Sequence, residues 1–480
     1  MRKALLWFRN DLRLSDHPAL LEAVDWSNQL LCVYVLEEES AWARGAASRV
    51  WLWHSLRALD MALKARGNQL HIVIGDAQAL IPGLCESHGL SDVLWSRRYR
   101  PDQIEIDKAL MSRLKNDDVQ VHSLAGEMLH QPWSLKTGAG GPYKVFTPFW
   151  KQLRQRLPPP PQDALPERLP PSPDKVQSLS PGDAEVADKL LPALPWGEAM
   201  IRHWQPGEAG ARRRFEHFLK SGLSGYDEMR DRPDRDGTSQ MSAALHFGEV
   251  APARLAADTL AAMQEKPSWE EDGESFLSEL GWREFSRHLL YHFPTLPDQA
   301  LNSRFRDFPW ADDDQQHLRA WQRGETGVPI VDAGMRQLYA SGWMHNRVRM
   351  IVGSFLCKNL LLPWQLGEAW FWDTLVDADL ANNAQGWQWI GGCGADAAPY
   401  FRVFNPVRQA ERFDPKGDYI ARWVPELHNL PAAGRHAPWE MKDRELAACG
   451  FKLGRDYPQP LVDLKTSRKR ALSAWETVRS

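Results

Sequence analysis

Cysteine is scarce in this 480-residue chain: five residues, Cys32, Cys85, Cys357, Cys393 and Cys449, lie far apart. No CxxC pair and no histidine-rich spacing brings two of them together, which argues against a disulfide framework and the common zinc motifs. Reduced core thiols in a cytoplasmic protein without a bound metal are the expectation. No apolar run reaches the roughly 18 residues of a membrane-spanning helix. The N-terminus enters a strand-like segment at once, without the charged and apolar regions of a signal peptide. Surplus positive charge is missing too, since 58 Lys and Arg against 62 Asp and Glu leave a formal charge of −4. A generally basic coat for nucleic acid is thereby excluded, and any DNA contact has to come from a local basic patch and be salt-sensitive. The first strand runs into Arg9-Asn10-Asp11-Leu12-Arg13 with no glycine where GxGxxG would sit, so a nicotinamide dinucleotide site is not supported. Tyrosine is rare, 9 against 23 tryptophans. A core needs bulk but has no need of that ratio, so the excess points to photochemistry or electron transfer.

What is present has a clear organisation. At this length and with 43% hydrophobic residues, two or more domains are expected. Over the first 130 residues, short apolar runs (Ala4 to Phe8, Leu30 to Leu36, Gln69 to Ile74, Asp92 to Trp95, Val119 to His122) alternate with helical patterns such as Ala47 to Ala65. This alternation predicts a doubly wound parallel α/β sheet that can hold a ligand at the carboxyl ends of its strands. From Leu157 to Gly197 prolines crowd the chain, which predicts an extended, semi-rigid linker without regular helix. After about Glu198, helical periodicity dominates, as in Arg212 to Leu219, Ser275 to Leu290, Trp343 to Leu360 and Trp364 to Leu375. The expected domains are 1–130 (α/β), 131–197 (linker) and 198–480 (all-α).

The chemically richest stretch is Asp377 to Pro406, DADLANNAQGWQWIGGCGADAAPYFRVFNP, with two leading carboxylates, paired carboxamides, a Trp-Gln-Trp, clustered glycines and an arginine. Asp377 and Asp379 can accept hydrogen bonds from ring or ribose groups, and Asn382 and Asn383 offer donor and acceptor atoms to a heterocycle edge. Trp387 and Trp389 present flat faces that a helix would send to different sides. Such a set suits a large aromatic ligand, although each residue alone could be a cap or core filler. Thr238-Ser239-Gln240-Met241-Ser242 precedes a helix-like run, where hydroxyls and backbone N–H groups can hold a phosphate or simply cap the helix.

These motifs, with LLWFRNDLRLSDHPAL (5–20), GTSQMSAALHFGE (237–249), SELGWREFSRHLLYHFP (278–294), GWMHNRVRM (342–350) and DYPQP (456–460), resemble the DNA photolyase and cryptochrome family. The likeness spans nearly the whole chain and is nearest to photolyases that repair cyclobutane pyrimidine dimers. It implies an FAD-binding helical domain, with the cofactor active as FADH⁻. Tyr226, Thr238, Ser239, Gln240, Met241 and Ser242 match positions around the pyrophosphate. Arg283, Asn346, Arg349, Asp377, Asp379 and Asn383 match further flavin positions, Arg349 and Asp377 as an ion pair and Asn383 as the amide facing flavin N5. Repair enzymes carry an amide at that position and plant cryptochromes an aspartate.

The resemblance further implies a carbon–carbon lyase that injects an electron into a flipped-out dimer and takes it back. Glu279, Trp282, Asn346, Met350 and Trp389 match the dimer pocket, and Arg230, Arg347 and Arg402 match arginines on the DNA backbone. Asn346 and Met350 stand where (6-4) photolyases carry histidines, which disfavours that lesion. Trp387, Trp364 and Trp310 match a tryptophan chain that refills the flavin with electrons. A second, antenna chromophore is expected, with methenyltetrahydrofolate favoured over 8-hydroxy-deazaflavin. Here the chain departs from one folate-binding pattern, with Pro297 and Asp298 where a Cys-Lys pair stands, while WSRRYRP (95–101) resembles a branch near the plant cryptochromes. The expected partner is UV-damaged DNA, bound by a monomer that joins the nucleoid only when on DNA. A blue-light photoreceptor and a DASH-type single-strand repair enzyme are the alternatives. The former is disfavoured by a chain that stops soon after DYPQP.

Overall fold

The computed structural model describes residues 2–37, 42–162, 165–193, 195–311, 314–397 and 401–479. Residues 163–164 and 194 of the expected linker, and 398–400 of the Trp- and Gly-rich segment, lie outside them. Five apolar runs form strands β1 (Lys3–Phe8), β2 (Gln29–Leu36), β3 (Leu70–Ile74), β4 (Asp92–Ser96) and β5 (Gln120–Leu124). They pair in parallel in the order β3-β2-β1-β4-β5. Between them lie helices α1 (Pro18–Trp26), α2 (Ala46–Lys64), α3 (Ala77–His88) and α4 (Pro101–Asn116). Strand order reverses beside β1, the arrangement of a doubly wound sheet. Helix cover on both faces explains why β1 and β2 are apolar at nearly every position instead of alternating.

The proline-rich segment is tied to the sheet. Leu179 and Ile72 exchange backbone hydrogen bonds of 2.8 and 2.9 Å, and the Pro170 and Pro171 carbonyls accept from Asn68 Nδ2 and the Leu30 N–H. It thus covers the open edge of β3, a common protection for an exposed strand. The expectation of no regular helix here needs correction: Ala184–Leu190 is helical, fitted between Pro181 and Pro192 where every backbone N–H is available.

The chain divides into two compact units, Met1–Ser224 with Ser239–Pro294 and Val376–Ala378, and Gly225–Thr238 with Thr295–Leu375 and Asp379–Ser480. The first unit therefore extends beyond residue 198 and takes in helices Glu208–Ser221, Pro252–Glu265 and Glu270–His292. The reason lies in the motif after β1. Glu208 accepts from the Leu14 and Ser15 N–H groups at 2.8 and 3.1 Å, and Leu12 N–H donates to the Phe247 carbonyl at 3.0 Å. Arg13 bonds the Gly248 carbonyl, and a Cβ at Gly248 would collide with the Asn10 carbonyl oxygen at 2.0 Å. Glu249, fully buried, takes the indole N–H of Trp51, the Ser55 hydroxyl and the Gly207 N–H.

After residue 198 no strand occurs among the described residues, leaving only the isolated bridge Leu453–Tyr457. In the second unit, helices Pro329–Ser341, Asn346–Ser354, Trp364–Thr374 and Leu380–Gly391 carry most of the motif residues. The expected helix through Leu360 changes character at Phe355, where it continues to Leu360 as a π-helix and stops at Leu361 in a left-handed conformation. Buried Asp332 gathers the Thr326 and Gly327 N–H groups and the Tyr457 hydroxyl, which explains the tyrosine of DYPQP as a pin holding the C-terminal segment.

Candidate functional site

In the second unit, Asp379 is the N-cap of helix Leu380–Gly391: its Oδ1 accepts from the Asn382 N–H at 3.0 Å and from Asn382 Nδ2 at 2.9 Å. One turn on, Asn383 is buried and its Nδ2 donates to the Glu368 carbonyl at 3.0 Å. That bond fixes the orientation of the amide, because turning it over would set two oxygens against each other. Asn383 therefore keeps its Oδ1 free of that bond, as an acceptor.

Trp387 follows on the buried face of the same helix, with Phe371 edge-on at 4.9 Å and Trp321 at 6.1 Å. Gly367 makes this possible, since a Cβ there would lie 2.1 Å from the Trp387 ring. Trp364 opens helix Trp364–Thr374 and is 2% exposed, while Trp310 is part-exposed with Phe308 at 4.4 Å. Both line one open groove of about 560 Å³ together with Asp298, Arg306 and Gln365. Trp389 points to the other side of its helix and is half-buried, with the exposed Arg402 guanidinium 5.8 Å from its ring.

Helix Asn346–Ser354 begins at a buried N-cap, His345, whose Nδ1 accepts the Arg347 N–H at 3.2 Å. Burial lowers the His345 imidazole to about 4, and the nearby Arg347, Arg349 and Arg230 act in the same direction against the pull of Asp231. Asn346 is exposed at the first helical position and Met350 is half-buried. The two arginines between them are engaged: Arg347 forms a bidentate pair with Asp231 and lies over Phe413, and Arg349 Nε donates to the Met344 carbonyl at 2.8 Å. Arg230 rests 5.7 Å from the ring of Tyr226.

In the first unit, Glu279 and Trp282 share one side of helix Glu270–His292, both half-buried. Phe146 stacks flat on the Trp282 indole, centroids 3.6 Å apart and planes within 8°, so one indole face is covered. Arg283, on the next position round the helix, is buried and spends its guanidinium on Glu284 and the Glu127 carbonyl. Thr238 ends its stretch of the second unit and Ser239 begins the next stretch of the first. The helix that follows runs only from Ser242 to His246 with Met241 as N-cap and no side-chain capping bond, so the capping role open to these hydroxyls is not taken. Gln240 sits at φ 50° and accepts from Arg214 at 2.6 Å. Asp377 is buried.

At the carboxyl ends of β1 and β4, where strand order reverses, Arg9 and Arg98 both bond Asp107 and flank Trp7. Burial brings the Arg9 guanidinium down to about 10, and the neighbouring Arg98 contributes. The Trp95 indole nitrogen is buried there without a hydrogen-bond partner. WSRRYRP therefore lies at the strand-order reversal, the place at which doubly wound folds commonly bind ligands.

Two residues of consequence escaped the sequence reading. His345 sets the start of the helix bearing Asn346, and its signal was a polar ring one position before a helical run. Glu368 is buried with one carboxylate oxygen unpartnered. Burial, reinforced by Asp298, raises its carboxyl to about 8, so it is held neutral. A glutamate in the middle of an amphipathic pattern gave no hint of this.

The family model for the FAD binding domain of DNA photolyase matches residues 276–477, and that for DNA photolyase matches residues 4–170. A deoxyribodipyrimidine photo-lyase of Agrobacterium fabrum is 44% identical, across 99% of this chain and 98% of its own. The chain belongs to the DNA photolyase and cryptochrome family. Within this family it is also 35% identical to cryptochrome-2 of Arabidopsis thaliana, over 98% of this chain and 78% of that one. Among solved structures it is similar to a bacterial class III photolyase from Agrobacterium tumefaciens, with a TM-score of 0.94, 44% identity and coverage of 100% and 98%. A Synechocystis cryptochrome gives a TM-score of 0.88 at 28% identity, each chain covered to 99%. The family's flavin domain is thus present. Among the described residues no His, Cys, Asp and Glu cluster could hold a metal ion, and no helix is long and apolar enough to cross a membrane.

Proposed function

We propose that this chain is a light-driven lyase that splits cyclobutane pyrimidine dimers in DNA. The observation that carries the reading is the pair Glu279 and Trp282 on one side of a single helix, the indole backed by Phe146 so that only its other face is open to stacking. The residues at the flavin positions fit FAD. Asn383 offers a fixed acceptor of the kind a reduced ring N–H needs, Asp377 is a buried carboxylate, and the hydroxyls of Thr238, Ser239 and Ser242 are not consumed by a helix cap. When bound, reduced FAD supplies the photon-driven electron that opens the cyclobutane ring and is regained afterwards.

The work of the protein is then positioning. Glu279 hydrogen-bonds the carbonyl of the 5′ base and stabilises charge arriving there. Trp282 and Trp389 stack on the extruded pyrimidines, and Asn346 and Met350 border them. Arg402, exposed beside Trp389, holds backbone phosphate, as does Arg230. Arg347 can join them by exchanging Asp231 for phosphate. Arg349, Asp377, Asp379, Tyr226, Gln240, Met241 and Arg283 take the remaining flavin positions, Asp379 also capping the Asn382 N–H and Arg283 also bonding the Glu127 carbonyl. Trp387, Trp364 and Trp310 relay electrons inward, supported by the shared groove of the last two. A folate or deazaflavin antenna would sit at the carboxyl ends of β1 and β4, where Arg9 and Arg98 offer cationic planar groups.

The 35% identity to a plant cryptochrome favours a second reading, a photoreceptor without repair activity. One experiment separates them: the reduced protein is illuminated with a dimer-containing oligonucleotide. Glu279→Ala and Trp282→Ala should each lower repair about tenfold to a hundredfold while retaining flavin. Undiminished repair in both variants removes the pocket assignment. Absence of repair in the parent protein with flavin bound leaves the photoreceptor.

A further inference from the structure

The turn Phe355–Leu360 winds as a π-helix, a rare geometry frequent at functional sites. It directs Lys358 wholly inward. The side chain is 0% exposed, its Nζ donates to the Gly391 carbonyl at 2.6 Å and lies 3.3 Å from the centre of the Phe401 ring. A buried ammonium ordinarily needs a carboxylate partner, yet none among the described residues acts on it. Its titratable neighbours are Cys357 and Cys393, both buried thiols pushed up to about 12 and therefore neutral. Arg470, on helix Leu464–Arg479 packed against this turn, is bound to the Asn359 carbonyl. Burial lowers the Lys358 amine to about 7.

Bonding to the last carbonyls of helix Leu380–Gly391 gives Lys358 a capping role, but its location does more. A Cβ at Gly391 would touch Trp364 Cδ1 at 3.7 Å, and one at Gly392 would lie 3.4 Å from Lys358 Nζ. Through Phe401, 5.9 Å from Phe308, which is 4.4 Å from Trp310, the same amine reaches the outer tryptophan at longer range. We propose that Lys358 is a positioning charge inside the tryptophan ladder, whose ammonium disfavours an oxidised Trp364 and drives the hole outward to Trp310. This rests on the ladder reading above. In each event one electron leaves Trp387 for the flavin and is replaced in turn from Trp364 and Trp310. An external thiol returns the electron at Trp310 and is itself oxidised. In a low-dielectric interior one nearby charge is enough to bias such a step.

The test uses the full-length, flavin-loaded protein in dithiothreitol and measures photoreduction yield and tryptophan-radical decay from about pH 6 to about pH 9. In the parent protein the yield should fall about threefold to tenfold as the amine loses its proton. Lys358→Met should show the low yield throughout, with no such inflection, while pre-reduced enzyme repairs at the parent rate. Side-chain nitrogen NMR should find one lysine titrating near neutrality, absent from Lys358→Met. The parent's own pH profile and that titration decide the matter even if the methionine variant folds poorly. A flat parent profile, or a Met variant with the parent's yield and profile, overturns the inference. Trp364→Phe is run in parallel: undiminished photoreduction there sinks the ladder itself, whereas a block there with unaltered Lys358→Met sinks only the role of the lysine.

Discussion

Glu368 shows how much rests on single side chains. Its backbone carbonyl orients Asn383, and its own carboxyl is held neutral by burial, with Asp298 adding to the effect. Because its folded value, about 8, lies above the ordinary carboxyl range, its contribution to stability is complete in acid and is lost as pH rises through about 8. Glu368→Gln should therefore melt with the parent protein near pH 5 and a few degrees above it near pH 9, as read by thermal denaturation at both pH values. Equal shifts at both would show that the carboxyl is ionised in the fold. The residues proposed for the flavin stand at fixed motif spacing, so their places in the chain were legible in the sequence. Their partners were not, since Asn383 to Glu368, Arg347 to Asp231 and Arg283 to Glu127 are contacts that only a folded chain brings together.

At the scale of elements, strand limits follow the apolar runs within a residue or two, as for Leu30 to Leu36 against Gln29–Leu36. Such agreement is expected where both faces of a strand are buried and every position is therefore apolar. The π turn at Phe355–Leu360 and the helix Ala184–Leu190 were not legible. No periodicity marks the first, and the second occupies a short proline-free interval within a segment otherwise unsuited to helix. Close approach of helices Trp364–Thr374 and Leu380–Gly391 depends on Gly367. Gly367→Ala should displace the Trp387 ring, cost about 1–3 kcal/mol in stability and slow photoreduction of the flavin. Denaturant melts and the photoreduction rate, measured together, test this. A variant that keeps both would mean that the ring has room the geometry denies it.

For the molecule as a whole, a formal charge of −4 leaves DNA binding to local arginines. Arg402→Ala should weaken binding to damaged and undamaged duplex alike and reduce the slope of log affinity against log salt by about 1. Loss confined to damaged DNA would instead place Arg402 at the lesion. The change of periodicity near residue 198 marks where strands give way to helices, but helices Glu208–Ser221 and Glu270–His292 belong with the sheet because Glu208 and the stretch Phe247–Glu249 clasp the segments after β1 and on α2. Light-driven reversal of pyrimidine dimers is tested by anaerobic illumination of the reduced, flavin-bound protein with a single-dimer oligonucleotide, followed by the return of thymine absorbance. Recovery is expected in blue or near-ultraviolet light, none in the dark, and loss in Glu279→Ala with flavin retained. Absence of recovery in light from a protein that holds reduced flavin would contradict it.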